Sequence, residues 1–150
     1  MHQNIWDERM LDLAERIASW SRDPSTKVGA VIADSDNRII STGYNGFAQG
    51  VEDSDEQWKD RETKYELVIH GEENALIFAQ RSIRGCTLYT VPFPPCSRCA
   101  SKFIQAGISR VVARPPTADQ FARWEDSFQL AKKLYKQAKV EYRIVTRGVT

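Results

Sequence analysis

The sequence predicts an α/β fold in which helices cover a five-stranded sheet. Two apolar patterns alternate along the chain: three- and four-residue steps, typical of one helix face, and short continuous runs, typical of buried strands. Their order is helix, hairpin, helix, strand, helix, strand, helix, strand, as expected for a sheet packed against helices. With 150 residues and neither an internal repeat nor a Pro/Gly-rich linker, residues 1–150 are expected to form one domain.

A helix and a hairpin are predicted first. Apolar residues recur on one face from Ile5 to Trp20, and Asp23-Pro24 ends that helix. Two strand-like runs follow, Val28 to Ala33 and Arg38 to Thr42. The polar residues 34–37 between them are typical of a tight turn.

The middle of the chain is predicted to be less regular. Residues 43–50 are interpreted as a loop because glycine recurs in them. Residues 51–66 carry seven acidic and three basic side chains and are interpreted as a solvated excursion with one short helix. A mostly buried helix is expected from His70 to Arg81.

The second half alternates strands and helices. Cys86 to Val91 is predicted as a strand, residues 97–106 as a helix ended by Gly107, residues 110–113 as a strand, Phe121 to Ala138 as a long amphipathic helix, and residues 140–145 as the last strand.

Composition excludes several functions. Lysine and arginine total 21 and acidic residues 20, so the net charge is +1, unlike a protein that grips a nucleic-acid backbone. The apolar runs are too short for a membrane span, and the segment MHQNIWDERM lacks the apolar core of a secretory signal, so a cytoplasmic location is expected. Three cysteines without a signal do not suggest disulfides, and a Cys-x-x-Cys pair indicates metal or redox chemistry.

Two short motifs at the starts of consecutive helices carry the chemistry. His70-Gly71-Glu72 offers an imidazole, and Pro95-Cys96-Ser97-Arg98-Cys99 offers two thiolates. These three ligands suit Zn²⁺ and leave a fourth position for water, whose pKa the metal lowers toward about 7. The partial positive charge of a helix N-terminus favours thiolates. Glu72 is then the candidate proton shuttle.

Other interpretations of these cysteines and the histidine stay open at this point. The cluster could be a structural zinc site, for which His2 and Cys86 are the remaining candidate ligands, or Cys-x-x-Cys could be a redox pair. Cys86, at a strand start, is expected to be an ordinary buried cysteine.

The motifs and their surroundings resemble the deoxycytidylate deaminases of the zinc-dependent cytidine deaminase superfamily. The matching segments, from about Met10 to Ala113, include residues 23–32 (DPSTKVGAVI), 39–47 (IISTGYNGF), Lys64-Tyr65, 70–75 (HGEENA), 95–100 (PCSRCA) and 104–108 (IQAGI). The resemblance implies a three-layer α-β-α sandwich with a mixed sheet. It also implies deamination of dCMP to dUMP for thymidylate synthesis, with zinc-activated hydroxide attacking C4.

The same resemblance suggests roles for individual residues. His70, Cys96 and Cys99 would hold the zinc, and Glu72 would move protons. Asn45 would bind the sugar, although an Asn before Gly also suits a tight turn. The further substrate-contact candidates each have an alternative as packing or surface residues: they are Lys27, Arg98 and Arg110 for the 5′-phosphate, Phe93 and Tyr44 for the base or pocket wall, and Ala30 and Gly71 within the matching segments.

Departures from the family pattern qualify these expectations. Relatives often carry Ala where Gly71 stands, so room for a C5-substituted pyrimidine is expected. Relatives also carry Pro and a basic residue at positions 48 and 49, where this chain has Ala48 and Gln49, which argues against control by dCTP and dTTP. The connection 89–96 is one residue longer than usual, and the segment 51–69 has no Cys or His, so one zinc per chain is expected.

Three other functions compete. A deaminase of free cytidine or deoxycytidine would share the zinc chemistry but need no phosphate-binding cation. A tRNA adenosine deaminase would need a basic surface, which the net charge argues against. A zinc-stabilised binding module without activity would have no use for Glu72. A homo-oligomer is expected from the resemblance, with Trp6, Trp20, Trp124 and Phe128 as candidates for an interface or for the core.

Overall fold

The computed structural model describes residues 2–147, with His2 described by its backbone alone. The elements are α1 (His2–Ala18), β1 (Gly29–Ala33), β2 (Ile39–Tyr44), α2 (Asp55–Lys59), α3 (Arg61–Leu67), α4 (Gly71–Ala79), β3 (Thr87–Val91), α5 (Ser97–Gln105), β4 (Arg110–Ala113), α6 (Ala118–Ala138) and β5 (Glu141–Ile144). No helix among the described residues is both long and apolar enough to cross a membrane.

The sheet is mixed and has the order β2-β1-β3-β4-β5. β1 pairs antiparallel with β2 and β3, whereas β3, β4 and β5 run parallel. All five residues of β1 and of β3 are buried, because both faces of the sheet are covered. The predicted five-stranded α/β sandwich is therefore confirmed.

Alternate residues of the strands feed two separate cores. Ala30 and Ile32 face a core shared with α4, α5 and α6, in which Phe103 and Tyr135 are fully buried. Val31 and Ala33 face a core shared with Leu11 and its neighbours on α1. Helix α1 thus forms one outer layer, and α4, α5 and α6 form the other.

Strand β2 extends beyond its prediction. Gly43 and Tyr44, expected in a loop, pair with Ala30 and Gly29. A Cβ on Gly43 would lie 2.3 Å from the backbone nitrogen of Ala75 in α4. This glycine therefore permits a close helix–sheet approach and does not mark a turn.

The acidic excursion is more structured than predicted. It holds two short helices, whose N-caps Ser54 and Asp60 accept hydrogen bonds from the backbone N–H groups of Gln57 and Thr63. Trp58 of α2 is buried, and its ring lies against Phe47, with centroids 4.4 Å apart.

The helix expected to be mostly buried is only partly buried and exposes apolar side chains in its second half. Helix α4 ends before Gln80, which has a φ of 50°, and its Ile77 and Phe78 are more than half exposed.

The four aromatic residues that are candidates for an interface or for the core differ in burial. Phe128 is buried and Trp6 packs partly on the α1-side core, whereas Trp20 and Trp124 are exposed.

Candidate active site

The two motifs meet at the N-termini of α4 and α5. His70 is the N-cap of α4, and Cys96 is the N-cap of α5. The side chain of Glu73 accepts a hydrogen bond from the backbone N–H of His70 at 3.4 Å, which holds the start of α4. Cys99 lies one turn into α5, on the same face as Cys96.

The spacing of the side chains fits a tetrahedral metal. His70 Nδ1 lies 3.3 Å from Cys99 Sγ and 3.7 Å from Cys96 Sγ. Zinc bonds of about 2.0–2.1 Å to nitrogen and 2.3 Å to sulfur, at a tetrahedral angle, place these atoms roughly 3.6 Å apart. Ligand atoms of His70, Glu72, Cys96 and Cys99 all lie within 4.8 Å of one another. Donor chemistry and spacing both fit Zn²⁺.

Glu72 lies beside this group in a buried position. Its side chain is 6% exposed, and Oε1 lies 3.7 Å from His70 Nδ1. Burial raises the pKa of Glu72, but the hydrogen bond and the charge of His70 outweigh burial and hold that pKa below its usual value. In the metal-free site the carboxylate is therefore ionised at neutral pH and can accept a proton.

Without metal, the three candidate ligands differ in their pKa values and so in their protonation. A hydrogen bond from Cys99 lowers the pKa of Cys96 to about 5, and the Cys96 thiolate raises the pKa of Cys99. Hydrogen bonds to Cys96 and Glu72 raise the pKa of His70 to about 10. Metal ligation requires two thiolates and a neutral imidazole, so it must displace protons from Cys99 and His70.

A cavity of about 1050 Å³ opens onto this group. His70, Glu72 and Cys96 line it, and Phe93 and Phe128 form an apolar part of its wall, with ring centroids 5.7 Å apart. Helices α2 and α3 border one side and α6 borders the other. The volume lies at the upper end of the usual range for small-molecule pockets.

Three of the proposed substrate contacts line this cavity: Asn45, Phe93 and Arg98. The Asn45 amide is held on both sides. Its Nδ2 donates to Asp23 Oδ2 at 3.1 Å and to the Thr26 carbonyl at 3.0 Å, and its Oδ1 accepts from Val28 N at 2.8 Å. One acceptor site on Oδ1 remains for a ligand.

Arg110 does not belong to the cavity, so its assignment to a phosphate is wrong. It pairs in register with Thr87, at the opposite end of β3 from Phe93. The four residue steps from Thr87 to Val91 span roughly 13 Å. The Arg110 guanidinium donates to the buried carboxylate of Asp7, at 2.8 Å, and to the carboxylate of Glu141.

Ala30, Tyr44 and Lys27 are also outside the cavity lining, and each has another contact in the structure. Ala30 is fully buried in the core beneath α4. Tyr44 packs edge-on against Trp20, with ring centroids 6.3 Å apart. The Lys27 ammonium donates to the backbone carbonyl of Ser21.

Gly71 does not provide the extra room that the sequence suggested. A Cβ on Gly71 would lie 3.0 Å from Val28 Cγ1 and 3.0 Å from the Val28 carbonyl oxygen. The space of the missing methyl is therefore already filled by Val28, which itself lines the cavity. Glycine here permits a close contact between α4 and the cavity wall.

Several charged residues line the cavity without having been predicted as site residues from the sequence: Asp23, Lys59, Arg61, Lys64 and Arg123. Arg61 and Lys64 are three residues apart on α3, so the helical period brings them to one face. That signal was hidden because α3 itself was not predicted. Asp23 belongs to a helix-ending Asp-Pro pair and to the family-matching segment 23–32, but neither pattern predicts that it lines the cavity.

Comparisons with known proteins agree with this geometry. The model of the family "Cytidine and deoxycytidylate deaminase zinc-binding region" matches residues 4–114. An uncharacterized deaminase in the luxG 3′ region of Aliivibrio fischeri is 46% identical over 136 residues, covering 91% of this chain and 90% of the relative. The deoxycytidylate deaminase of Homo sapiens is 35% identical over 144 residues, covering 92% and 78%.

A solved structure is similar over nearly its whole length. The dCMP deaminase from the cyanophage S-TIM5, in complex with dCMP and dUMP, superposes with a TM-score of 0.71 at 25% identity. The match covers 92% of this chain and 95% of that one. These findings confirm the resemblance and the fold that the sequence predicted.

Proposed function

Because this chain belongs to the cytidine and deoxycytidylate deaminase family, we propose that it hydrolyses dCMP to dUMP and ammonia in a single catalytic domain, residues 1–150. The observation that carries the proposal is the buried carboxylate of Glu72 beside a zinc-compatible ligand set at one end of a cavity. A structural zinc site has no need for that carboxylate or for the cavity. A redox pair would leave His70 and Glu72 unexplained.

His70, Cys96 and Cys99 would hold one zinc ion per chain. When bound, zinc supplies a coordinated water of lowered pKa, which makes the water a nucleophile at neutral pH. Glu72 is the proton carrier: it accepts a proton from the attacking water and delivers it to N3 of the cytosine ring. It then accepts the proton of the new hydroxyl on C4 and delivers it to the 4-amino group, which leaves as ammonia while the C4 carbonyl forms. Its burial keeps bulk water from competing for these transfers.

The rest of the cavity orients the nucleotide. Phe93 and Phe128 offer an apolar surface on which a pyrimidine can stack. The remaining acceptor site of Asn45 Oδ1 suits the hydrogen of a sugar hydroxyl, while the contacts to Asp23 and Thr26 fix the amide.

Charge favours a phosphorylated substrate over a nucleoside. The cavity is lined by five cations, Lys59, Arg61, Lys64, Arg98 and Arg123, and by three acids, Asp23, Glu72 and Asp119. A net positive cavity attracts and retains a phosphate dianion. A nucleoside deaminase would gain nothing from this excess.

Other expectations remain predictions. A homo-oligomer is proposed from the family resemblance. Weak or absent control by dCTP and dTTP is proposed from Ala48 and Gln49, which stand where relatives carry Pro and a basic residue. The cytoplasmic location expected from the composition also stays a prediction. The close packing of Gly71 against Val28 gives no added room for a C5 substituent, so unmodified dCMP is preferred to its 5-methyl derivative.

A substrate panel tests the proposal. The zinc-loaded protein is mixed with dCMP, deoxycytidine, cytidine and 5-methyl-dCMP, and kcat/KM is measured for each from the loss of the cytosine absorbance. We expect dCMP to have the highest kcat/KM. A higher value for deoxycytidine would transfer the assignment to the nucleoside deaminases, and a zinc-loaded protein inactive on all four would support the binding module.

A further inference from the structure

Lys64 differs from the other cations of the cavity in its depth. Its side chain is 16% exposed, whereas Lys59, Arg61, Arg98 and Arg123 are exposed residues at the cavity rim. A cation inside the cavity is screened less by water and salt than one at the rim, so it attracts a bound anion more strongly. Lys64 is thus the best-placed of these five cations to bind a charged group inside the cavity.

Asp23 fixes the ammonium of Lys64. Lys64 Nζ lies 2.7 Å from Asp23 Oδ1, and the Asp23 side chain is 5% exposed. The same oxygen accepts hydrogen bonds from the backbone N–H groups of Ser25 at 2.8 Å and Thr26 at 3.3 Å. The carboxylate is therefore immobile. An ammonium has three hydrogens, and Asp23 takes one of them, so Lys64 can donate the others to a ligand.

One carboxylate connects Lys64 with Asn45. Asp23 Oδ2 accepts from Asn45 Nδ2 at 3.1 Å, while Asp23 Oδ1 accepts from Lys64. In a nucleoside 5′-phosphate, a single carbon separates the phosphate oxygen from the sugar ring. The residues that bind the sugar and the phosphate must therefore be close neighbours, as Asn45 and Lys64 are.

From these contacts, and resting on the proposed function, we propose that Lys64 binds the 5′-phosphate and determines the preference for a nucleotide over a nucleoside. Asp23 is a positioning residue that holds the Lys64 ammonium beside the sugar. Lys27, the other lysine of this region, is not among the residues that line the cavity. The rim cations add long-range attraction and do not set the preference.

A pair of matched lysine variants tests the assignment. Lys64→Met and Lys27→Met each remove one ammonium from the same region, and kcat/KM is measured with dCMP and with deoxycytidine. We expect Lys64→Met to lose roughly 10- to 100-fold on dCMP, mainly through KM, with little change on deoxycytidine. Lys27→Met should keep the preference of the unsubstituted protein. A preference unchanged in Lys64→Met would overturn the assignment.

A second pair of variants guards against misfolding and isolates the role of Asp23. Lys64→Met leaves a buried carboxylate without its cation, so the double variant Asp23→Asn/Lys64→Met removes both charges together. If Asp23 acts through Lys64, Asp23→Asn alone loses part of the preference for dCMP and the double variant loses no more than Lys64→Met. If the double variant instead loses the sum of the dCMP preferences lost by the two single variants, the positioning role of Asp23 is wrong.

Binding of the product separates this inference from the proposed function. Titration calorimetry with dUMP and deoxyuridine requires no turnover. A wild-type chain inactive on every cytosine compound would contradict the proposed function, yet weaker dUMP binding by the Lys64 variants would still support the phosphate contact. Equal dUMP binding by the wild-type chain and the Lys64 variants would reject the contact even if dCMP were deaminated.

Discussion

Replacing Glu72 by glutamine separates a proton carrier from a metal ligand. The glutamine keeps the size of the side chain, but it cannot accept and release a proton at neutral pH. His70, Cys96 and Cys99 already have the donor chemistry and the spacing of a three-residue zinc site. We therefore expect Glu72→Gln to retain zinc and lose turnover.

The size of the loss follows from the position of Glu72. Positioned general acid–base groups contribute about 10²- to 10⁴-fold, or about 3 to 5 kcal/mol in the activation free energy. Glu72 is 4% exposed, so bulk water has little access to replace it, and the loss should lie in the upper part of that range.

The assay measures zinc per chain by elemental analysis and kcat on dCMP for the same preparations. Glu73→Gln is a matched control, because Glu73 is the adjacent acid and contacts the backbone of His70 through a hydrogen bond that glutamine can keep. A Glu72→Gln variant that keeps more than about a tenth of the wild-type kcat would show that Glu72 is not the proton carrier. Loss of zinc from Glu72→Gln would instead identify Glu72 as a ligand.

Three other substitutions have defined outcomes. Cys99→Ser should weaken zinc binding by more than the roughly 10- to 100-fold typical of outer-shell partners, as measured by competition with a chelator. Asp7→Asn should cost about 3–5 kcal/mol in unfolding free energy at neutral pH, because it leaves the Arg110 guanidinium without its buried partner. Burial raises the pKa of Asp7, but the hydrogen bond and charge of Arg110 have the larger effect, so the pKa lies below its usual value. The stabilisation from the ion pair is therefore present above about pH 4 and is lost as the pH falls below that value. Gly43→Ala should cost about 3 kcal/mol or more, because its Cβ would lie 2.3 Å from a backbone atom of α4.

Each of these substitutions has its own control. Cys86→Ser changes a buried cysteine outside the ligand group and should keep zinc. Denaturant unfolding at pH 7 and pH 3 should show the Asp7→Asn difference shrinking with acid, and an equal difference at both values would contradict the ion-pair explanation. Gly46→Ala meets no atom within 4 Å and should be close to neutral, so equal effects at Gly43 and Gly46 would contradict the close-approach argument.

Local patterns predicted the sheet and the ligand group well. The strand 110–113 and the helix at 97–105 are set by apolar periodicity and by the Gly107 stop, which has a φ of 90°. The two motifs come together because each begins a helix at the same end of the sheet. A parallel arrangement of β3 and β4 follows from the connecting helix α5.

Features that depend on tertiary contact were not predictable. Gly43 and Gly71 look like loop or spacing residues in the sequence, yet each permits a backbone approach to another element. Arg110 was a reasonable phosphate candidate by residue type, but only the register of β4 shows that it faces Asp7. Lys64 belongs to the family-matching pair Lys64-Tyr65, but only its contact with Asp23 shows that it lies inside the cavity.

The most direct test of the central claim is the ultraviolet spectrum of dCMP mixed with the zinc-loaded protein, followed over time with ammonia measured in parallel. We expect the cytosine spectrum to convert to the uracil spectrum, with one ammonia released per dCMP. We also expect a chelator to stop the reaction and added zinc to restore it. An unchanged dCMP spectrum with zinc bound, or a reaction that continues after zinc has been removed, would contradict zinc-dependent deamination of dCMP.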